Sequence, residues 1–518
     1  MASGIPLRPA LVNAARIALL AGPTALAFFA GGYFEEPALW AGLGAWLLVL
    51  VGSIAAPGRL PRGAPVWLSI GGLAALAAWT LLSTAWAPIK GDAYQAGQEV
   101  VLYAGVLVAG ALLLRSTGAM RAVEPALAAG TVVVIGYGLS ERLLPGLLHF
   151  ARSVSAEGRL EQPLTYWNAM GELAAIGFVL CARIAGDATR STLQRVAAVA
   201  VTAPLGLGLY ISFSRGALFA CFAGLVALIV AAARREQLRA IGLAICAGAL
   251  AAAVSSQMRG ITSLAGSRSG REQQGAIMLG ALVVIVIAAG LAQSLLCRRE
   301  QPGELRLPRR APLLALVVLL AGLALAIAVG NQESSRQSRA LPTGASRLAT
   351  LQSNRYAYWR VALRAFDAEP LRGVGAGGWL VYWLRDRTVA EAAKDAHSLP
   401  LQTAAELGLV GLVLLIAFLV GVALAARAAH RRRPLLAAGP IAGFVVYVAH
   451  APLDWDWQMP ALTLVALVLA GALLALADPW AAPASAAADR GVVSEEPALP
   501  TRGVTFASVP VLHGYRDV

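Results

Sequence analysis

Long apolar runs separated by short polar punctuation make up most of this chain. Fourteen of them approach the ~20 residues needed to cross the hydrocarbon core of a bilayer. They cover about residues 14–33, 37–56, 65–86, 98–114, 122–141, 166–185, 195–211, 216–233, 238–256, 274–297, 312–330, 402–426, 435–451 and 459–478. Each is expected to be a helix, because lipid offers no partner to an open backbone N–H or C=O. The pattern predicts an all-α fold, a polytopic membrane helix bundle of 12–14 transmembrane helices. One long polar segment, residues 331–401, breaks the rhythm in the C-terminal third. The membrane domain is expected over 1–478. Residues 479–518, rich in Ala, Pro and Ser with both charge signs, read as a disordered tail.

Composition strengthens this reading. The chain is 58% hydrophobic and 14% charged, with a mean hydropathy of +0.68, where a soluble domain carries roughly a quarter charged residues. Cys181, Cys221, Cys246 and Cys297 lie in or beside apolar runs without metal-ligand or redox spacing, and read as small buried hydrophobes. Arg8 and Arg16 before the first run are compatible with a signal peptide. Gly22, Pro23 and the apolar residues beyond them favour an uncleaved first span.

The net charge of +14 is spread over many loops, which argues for topology and anionic lipid rather than nucleic acid. One alternating set of loops holds Arg8, Arg16, Arg59, Arg62, Arg115, Arg121, Arg183, Arg190, Arg195, Arg234, Arg235, Arg239, the arginines of 298–310, and those of 427–433. Positive charge in short loops marks the cytoplasmic side. The expectation is a multi-pass protein of the cytoplasmic (inner) membrane with both termini inside. The turn SFSRG (212–216), the 331–401 segment and HAPLDWDW (450–457) then share the outer face, where TYWNAMGE (165–172) also opens a span. No internal repeat is visible, which disfavours a transporter built from inverted halves.

Four motifs on that face carry candidate chemistry. Arg215 sits in a tight turn with almost no loop to lift it from the bilayer. It reads either as a headgroup-snorkelling side chain or as an anion site at the mouth of the bundle. In 353–380, Ser353 reads as a helix N-cap, and Tyr356, Trp359, Leu363 and Phe366 have helical spacing along one apolar face. Arg355 and Trp359 share one flank of that helix, and Arg360 and Arg364 the other; a surface helix meeting lipid phosphate is the plainer reading. The run GVGAGG follows a helix rather than a strand, so it is not read as a nucleotide loop. His397 precedes a span whose first turns carry Gln402, Thr403 and Glu406. Neutral imidazole can take a hydroxyl proton near pH 7, although a lone histidine is more often structural. In HAPLDWDW, the Asp454–Asp456 spacing is compatible with a metal–nucleotide site. An interfacial turn anchored by Trp455 and Trp457 is preferred there.

YWNAMGELAA (166–175), SFSRGALFA (212–220), RYAYWRVALRAFDAEPLRGVGAGGW (355–379) and DAHSLPLQTAAELGLVGLVLL (395–415), in this order, resemble the O-antigen ligase and O-antigen polymerase family. The resemblance covers roughly residues 160–425. It implies a glycosyltransferase that moves an undecaprenyl-diphosphate-linked glycan to an acceptor hydroxyl on a glycan or lipid-glycan, without metal or cofactor. It implies that Arg215 and Arg355 hold the donor diphosphate and that His397 is the general base. Ser214, Asn168, Tyr166, Trp359, Arg360, Gln402 and Glu406 are then supporting residues. The family commonly shows about twelve spans, and its histidine is often followed by Asn where Ser398 stands here. A single base without a carboxylate nucleophile implies inversion at the anomeric carbon. Polymerase and protein O-oligosaccharyltransferase share the donor and are alternatives. A flippase or exporter for lipid-linked sugars, and a non-catalytic assembly protein, are the readings of other classes.

Overall fold

The computed structural model describes residues 7–56, 60–300, 303–336 and 344–478. The apolar runs become helices: α1 (Leu7–Ala27), α2 (Glu35–Ala55), α3 (Ala64–Ala85), α4 (Lys90–Leu113), α5 (Thr117–Leu143), α6 (Trp167–Gly186), α7 (Thr192–Ile211), α8 (Arg215–Ala231), α9 (Arg235–Ser256), α10 (Arg268–Arg298) and α11 (Ala311–Arg336). The long segment carries α12 (Arg355–Ala368) and α13 (Trp379–Asp386), and α14 (Leu399–Arg432), α15 (Pro434–His450) and α16 (Pro460–Ala477) follow. Among the described residues, twelve helices are long and apolar enough to cross a membrane. α8 and α15 are apolar but have only 17 residues each, about 26 Å of rise and the short end of the spanning range. The protein is thus an all-α polytopic membrane bundle. Among the described residues the one β feature is an isolated bridge between Arg234 and Glu304. The tail expected over 479–518 lies outside the described residues.

The core forms where helices can approach most closely. The apolar window of α6 is 100% buried and that of α16 is 94% buried, against 6% for α11. Lipid tails are as apolar as leucine, so association depends on close packing rather than on hydrophobic burial. Small residues permit it: a Cβ on Gly110 of α4 would meet the Gly471 Cα of α16 at 3.1 Å. α11 and α2 stand at the periphery with large apolar side chains facing outward.

Polar connections gather at two ends. At one end Arg115 pairs with Asp478 at 2.7 Å, Arg195 with Glu300 at 2.5 Å, and Arg183, Asp187, Arg190 and Glu124 form a buried network. At the other, Tyr33 packs on Trp455, Tyr166 bonds Asp454, and Arg215 bonds the long segment.

Candidate active site

At this second end the SFSRG turn and the long segment build one cleft. Ser214 caps α8 by accepting from the Ala217 N–H at 3.2 Å, which starts the helix directly at Arg215. The Arg215 guanidinium donates to the carbonyls of Thr350 and Gln352, the latter at 2.8 Å. Arg215, Ser353, Arg355, Tyr356 and Trp359 line a cleft of about 180 Å³ that continues along Phe219 of α8 and Leu323 and Ile327 of α11. A cationic mouth thus opens onto an apolar seam. Two further arginines reinforce it. Arg159 lies over the Trp167 ring at 3.7 Å. Burial, then the nearby charge of Arg347, lowers its guanidinium to about 10. The Arg347 guanidinium is also lowered, by burial and then by Arg355. Four arginines from three segments therefore share one neighbourhood, where an anion relieves their repulsion.

Arg355 is held in place by a buried chain of polar groups. Its Nη2 donates to Asp454 Oδ2 at 2.5 Å, and Asp454 is fully buried. Tyr166 donates to Asp454 Oδ1 at 2.7 Å, and Asn168 Nδ2 donates to the Tyr166 oxygen at 2.7 Å. Burial by itself would raise the Asp454 carboxyl. Arg355 and then His397 outweigh it and hold the group below its usual range. Asp454 was read from sequence as part of an interfacial turn; its pairing with Arg355 spans 99 residues and has no local signature.

His397 lies on the far side of Trp359, whose Nε1 donates to the His397 carbonyl at 3.3 Å. Its φ is +53°, in the left-handed region. Its Nδ1 is 2.9 Å from the Asp395 carbonyl. The ring packs against Tyr358 at 5.1 Å and Trp455 at 6.2 Å. The Leu399 N–H donates to the Ala451 carbonyl at 2.9 Å, tying this segment to the loop that carries Asp454. Behind His397, Gln402 bonds Asp395 Oδ1 at 3.0 Å and Glu406 accepts from the Trp379 N–H at 3.3 Å. Both line a second, polar cavity of about 70 Å³ with Asp92, Glu99, Lys394 and Asp395.

The threshold at 394–411 is built on a broken helix. α14 departs from helical geometry at Gly408, with φ 66° and ψ −163°. The glycine run docks into the break. Val374 N–H donates to Ala405 O at 3.0 Å, Gly375 N–H to Glu406 O at 2.8 Å, and Leu409 N–H to Pro370 O at 2.8 Å. Trp79 Nε1 donates to the Leu407 carbonyl at 3.0 Å. A Cβ on Gly373 would sit 2.3 Å from the Glu406 backbone. The glycines of GVGAGG are there for backbone contact, which satisfies carbonyls that a broken span leaves open.

Two sequence expectations are corrected on α12. Ser353 is not its N-cap: Asn354 precedes the first helical residue, and Ser353 Oγ instead accepts from the Arg355 N–H at 3.2 Å. The buried face is Ala357, Tyr358, Val361, Ala362 and Ala365, packed on Trp379 and Trp383, whereas Leu363 is 49% exposed. Alanines win this face because their small size lets two large indoles stack against the helix. Tyr356 and Trp359 face the cleft. Arg360 is exposed, donates back to the Tyr356 carbonyl at 3.2 Å, and stands outside the cleft lining.

Beneath the Asp454 loop lies a cluster of which local sequence showed only two members, His450 and Asp456 of HAPLDWDW. His450 Nδ1 is 2.7 Å from Asp456 Oδ2 and 2.9 Å from Glu172 Oε2, all three residues essentially unexposed. Glu172 is 278 residues from His450 and was unremarkable as one acid in a span.

Residues 272–416 match the family model described as O-antigen ligase. The match contains Arg355, Trp359, Arg360, His397, Gln402 and Glu406, and excludes Arg215, Tyr166 and Asp454. No curated protein matches the chain.

Proposed function

We propose, from the match of residues 272–416 to the O-antigen ligase family model, that this protein transfers an undecaprenyl-diphosphate-linked oligo- or polysaccharide to an acceptor hydroxyl on the outer face of the cytoplasmic membrane. The observation that carries this reading is the shared cleft of Arg215 and Arg355, whose wall, Trp359, hydrogen-bonds the His397 segment. The donor's diphosphate lies against the arginines, and its polyprenyl tail follows the α8–α11 seam. The acceptor oxygen attacks C1 of the sugar, the C1–O bond to phosphate breaks, and the bonding pair leaves with the diphosphate. Arginine meets that growing charge with paired N–H donors. The hydroxyl proton passes to the His397 imidazole. A positioned base contributes typically ~10²–10⁴-fold. One displacement inverts the anomeric centre.

His397→Ala protein in liposomes, supplied with lipid-linked donor and acceptor, is expected to bind donor and transfer no glycan. Full transfer by this variant would remove the base assignment. Deleting the gene and analysing cell-surface glycans separates the acceptor classes. Free lipid-linked long chains mark a ligase, and loss of long chains marks a polymerase. Loss of glycan from protein marks a protein glycosyltransferase. A flippase is disfavoured because the polar groups of the site crowd one end of the bundle. It predicts accumulation of donor on the inner leaflet instead.

A further inference from the structure

We propose that Glu172, His450 and Asp456 bind one divalent transition-metal ion of the zinc type, which locks the base of loop 451–459. This site is separate from the cleft and does not depend on the glycosyl-transfer reading.

The three residues come from three places: α6, the last residue of α15, and the short turn before α16. Their candidate ligand atoms all lie within 4.8 Å of one another. Glu172 and His450 are 0% exposed and Asp456 is 1% exposed. Both carboxylates approach the same ring nitrogen, Nδ1, at 2.9 and 2.7 Å. A single N–H there serves one of them. Asp456 takes it, and both Glu172 oxygens and Asp456 Oδ1 are left without a hydrogen-bond partner, while His450 Nε2 is unpartnered on the opposite side of the ring. Buried polar atoms in native proteins find partners, and a group of orphans around one point calls for an ion or a water.

Charge balance permits the ion. Two carboxylates and an imidazolium carry a net negative charge in a fully buried place, where uncompensated charge is costly, and either a proton on Glu172 or a dication cancels it. Two carboxylates, a neutral imidazole and a dication sum to zero. The donor set of one nitrogen and two carboxylate oxygens suits zinc or a neighbouring first-row metal. Ligand bonds of about 2.0–2.2 Å in tetrahedral array space the donor atoms roughly 3.3 Å apart, so the set needs to open only slightly. Binding through Nδ1 leaves the proton on Nε2, which faces Gly216, where a Cβ would come within 2.8 Å. An ion here joins the segment after Tyr166 to the segment after Asp454, the two partners that together hold Arg355.

The full-length protein, purified without an affinity tag or added metal, is analysed by plasma mass spectrometry. One equivalent of transition metal per chain is expected, and it is lost from the Glu172→Gln/Asp456→Asn double variant. Chelator-stripped wild type should lose thermal stability, and added Zn²⁺ alone should restore it. Because the double variant can fail to fold, Co²⁺ is also titrated into stripped wild type. A visible d–d absorption saturating at one equivalent supports the site. Protein that purifies free of metal, shows no Co²⁺ band and keeps its thermal midpoint in chelator overturns it. So does stabilisation by Mg²⁺ but not by Zn²⁺.

Discussion

At the scale of single residues, the ion pair of Arg355 with Asp454 makes the role of the arginine separable from its contribution to folding. Arg355→Ala leaves a buried, uncompensated carboxylate, a loss of about 3–5 kcal/mol when such pairs are fully buried and less at this partly exposed one. Adding Asp454→Asn should recover thermal stability but not transfer, since the donor contact stays absent. Recovery of both would mean that Arg355 is only structural. Arg215→Ala should raise the donor KM, and Lys at either position should rescue only in part, because ammonium lacks the planar fork. Asp395 offers a pH test. Burial raises its carboxyl, which Gln402 and His397 only partly offset. The folded state therefore holds this proton more tightly than the unfolded chain. That contribution is present below the unfolded pKa of about 3.9 and is lost as pH rises through the folded value. Asp395→Asn keeps the Gln402 contact and removes the charge. Its thermal midpoint should exceed that of wild type by a margin that grows with pH across this window, and a constant margin contradicts the account.

At the scale of elements, the break in α14 docks the backbone around Glu406 on the glycine run. An unbroken helix would carry its carbonyls past the glycine run, and the 370–378 segment would have no backbone to pair with. Gly408→Ala should destabilise by more than the ~1–3 kcal/mol typical of a strained residue, because its Cβ would also meet the Leu371 carbonyl at 2.3 Å. Gly22→Ala is the matched control, with nothing within 4 Å of its Cβ. Equal thermal midpoints for the two variants in detergent would rule out the packing described for Gly408. The same element shows where reading a sequence stops. The apolar run and its polar threshold were visible, but the break was not. Glycine in a span marks close helix packing far more often than a chain crossing.

At the scale of the molecule, the alternation of basic loops corresponds to two physical ends of the bundle. Arg115, Arg183, Arg190 and Arg195 lie at one and the arginine cleft at the other. Which end faces the cytoplasm follows from the positive-inside rule alone. In a variant whose four cysteines are replaced by alanine, Ser155→Cys at the cleft end should react with an impermeant maleimide in intact cells. Ala188→Cys at the other end should react only after permeabilisation. The reverse pattern would invert the topology and move the proposed reaction to the cytoplasmic side.

The sequence by itself determined the environment, the helical class, the rhythm of crossings and the candidacy of Arg215, Arg355 and His397. The first three depend on run length and composition, which are local properties, whereas the roles given to Arg215, Arg355 and His397 are what the resemblance to the O-antigen ligase and polymerase family implies. The tertiary structure alone decided which polar groups meet. Asp454 reaches Arg355, Glu172 reaches His450 and the glycine run reaches the Gly408 break across 99, 278 and about 30 residues of chain. Pairings at such separations are selected by helix packing, which brings buried charges together because low dielectric makes leaving them apart too costly. No spacing rule within one run encodes that choice.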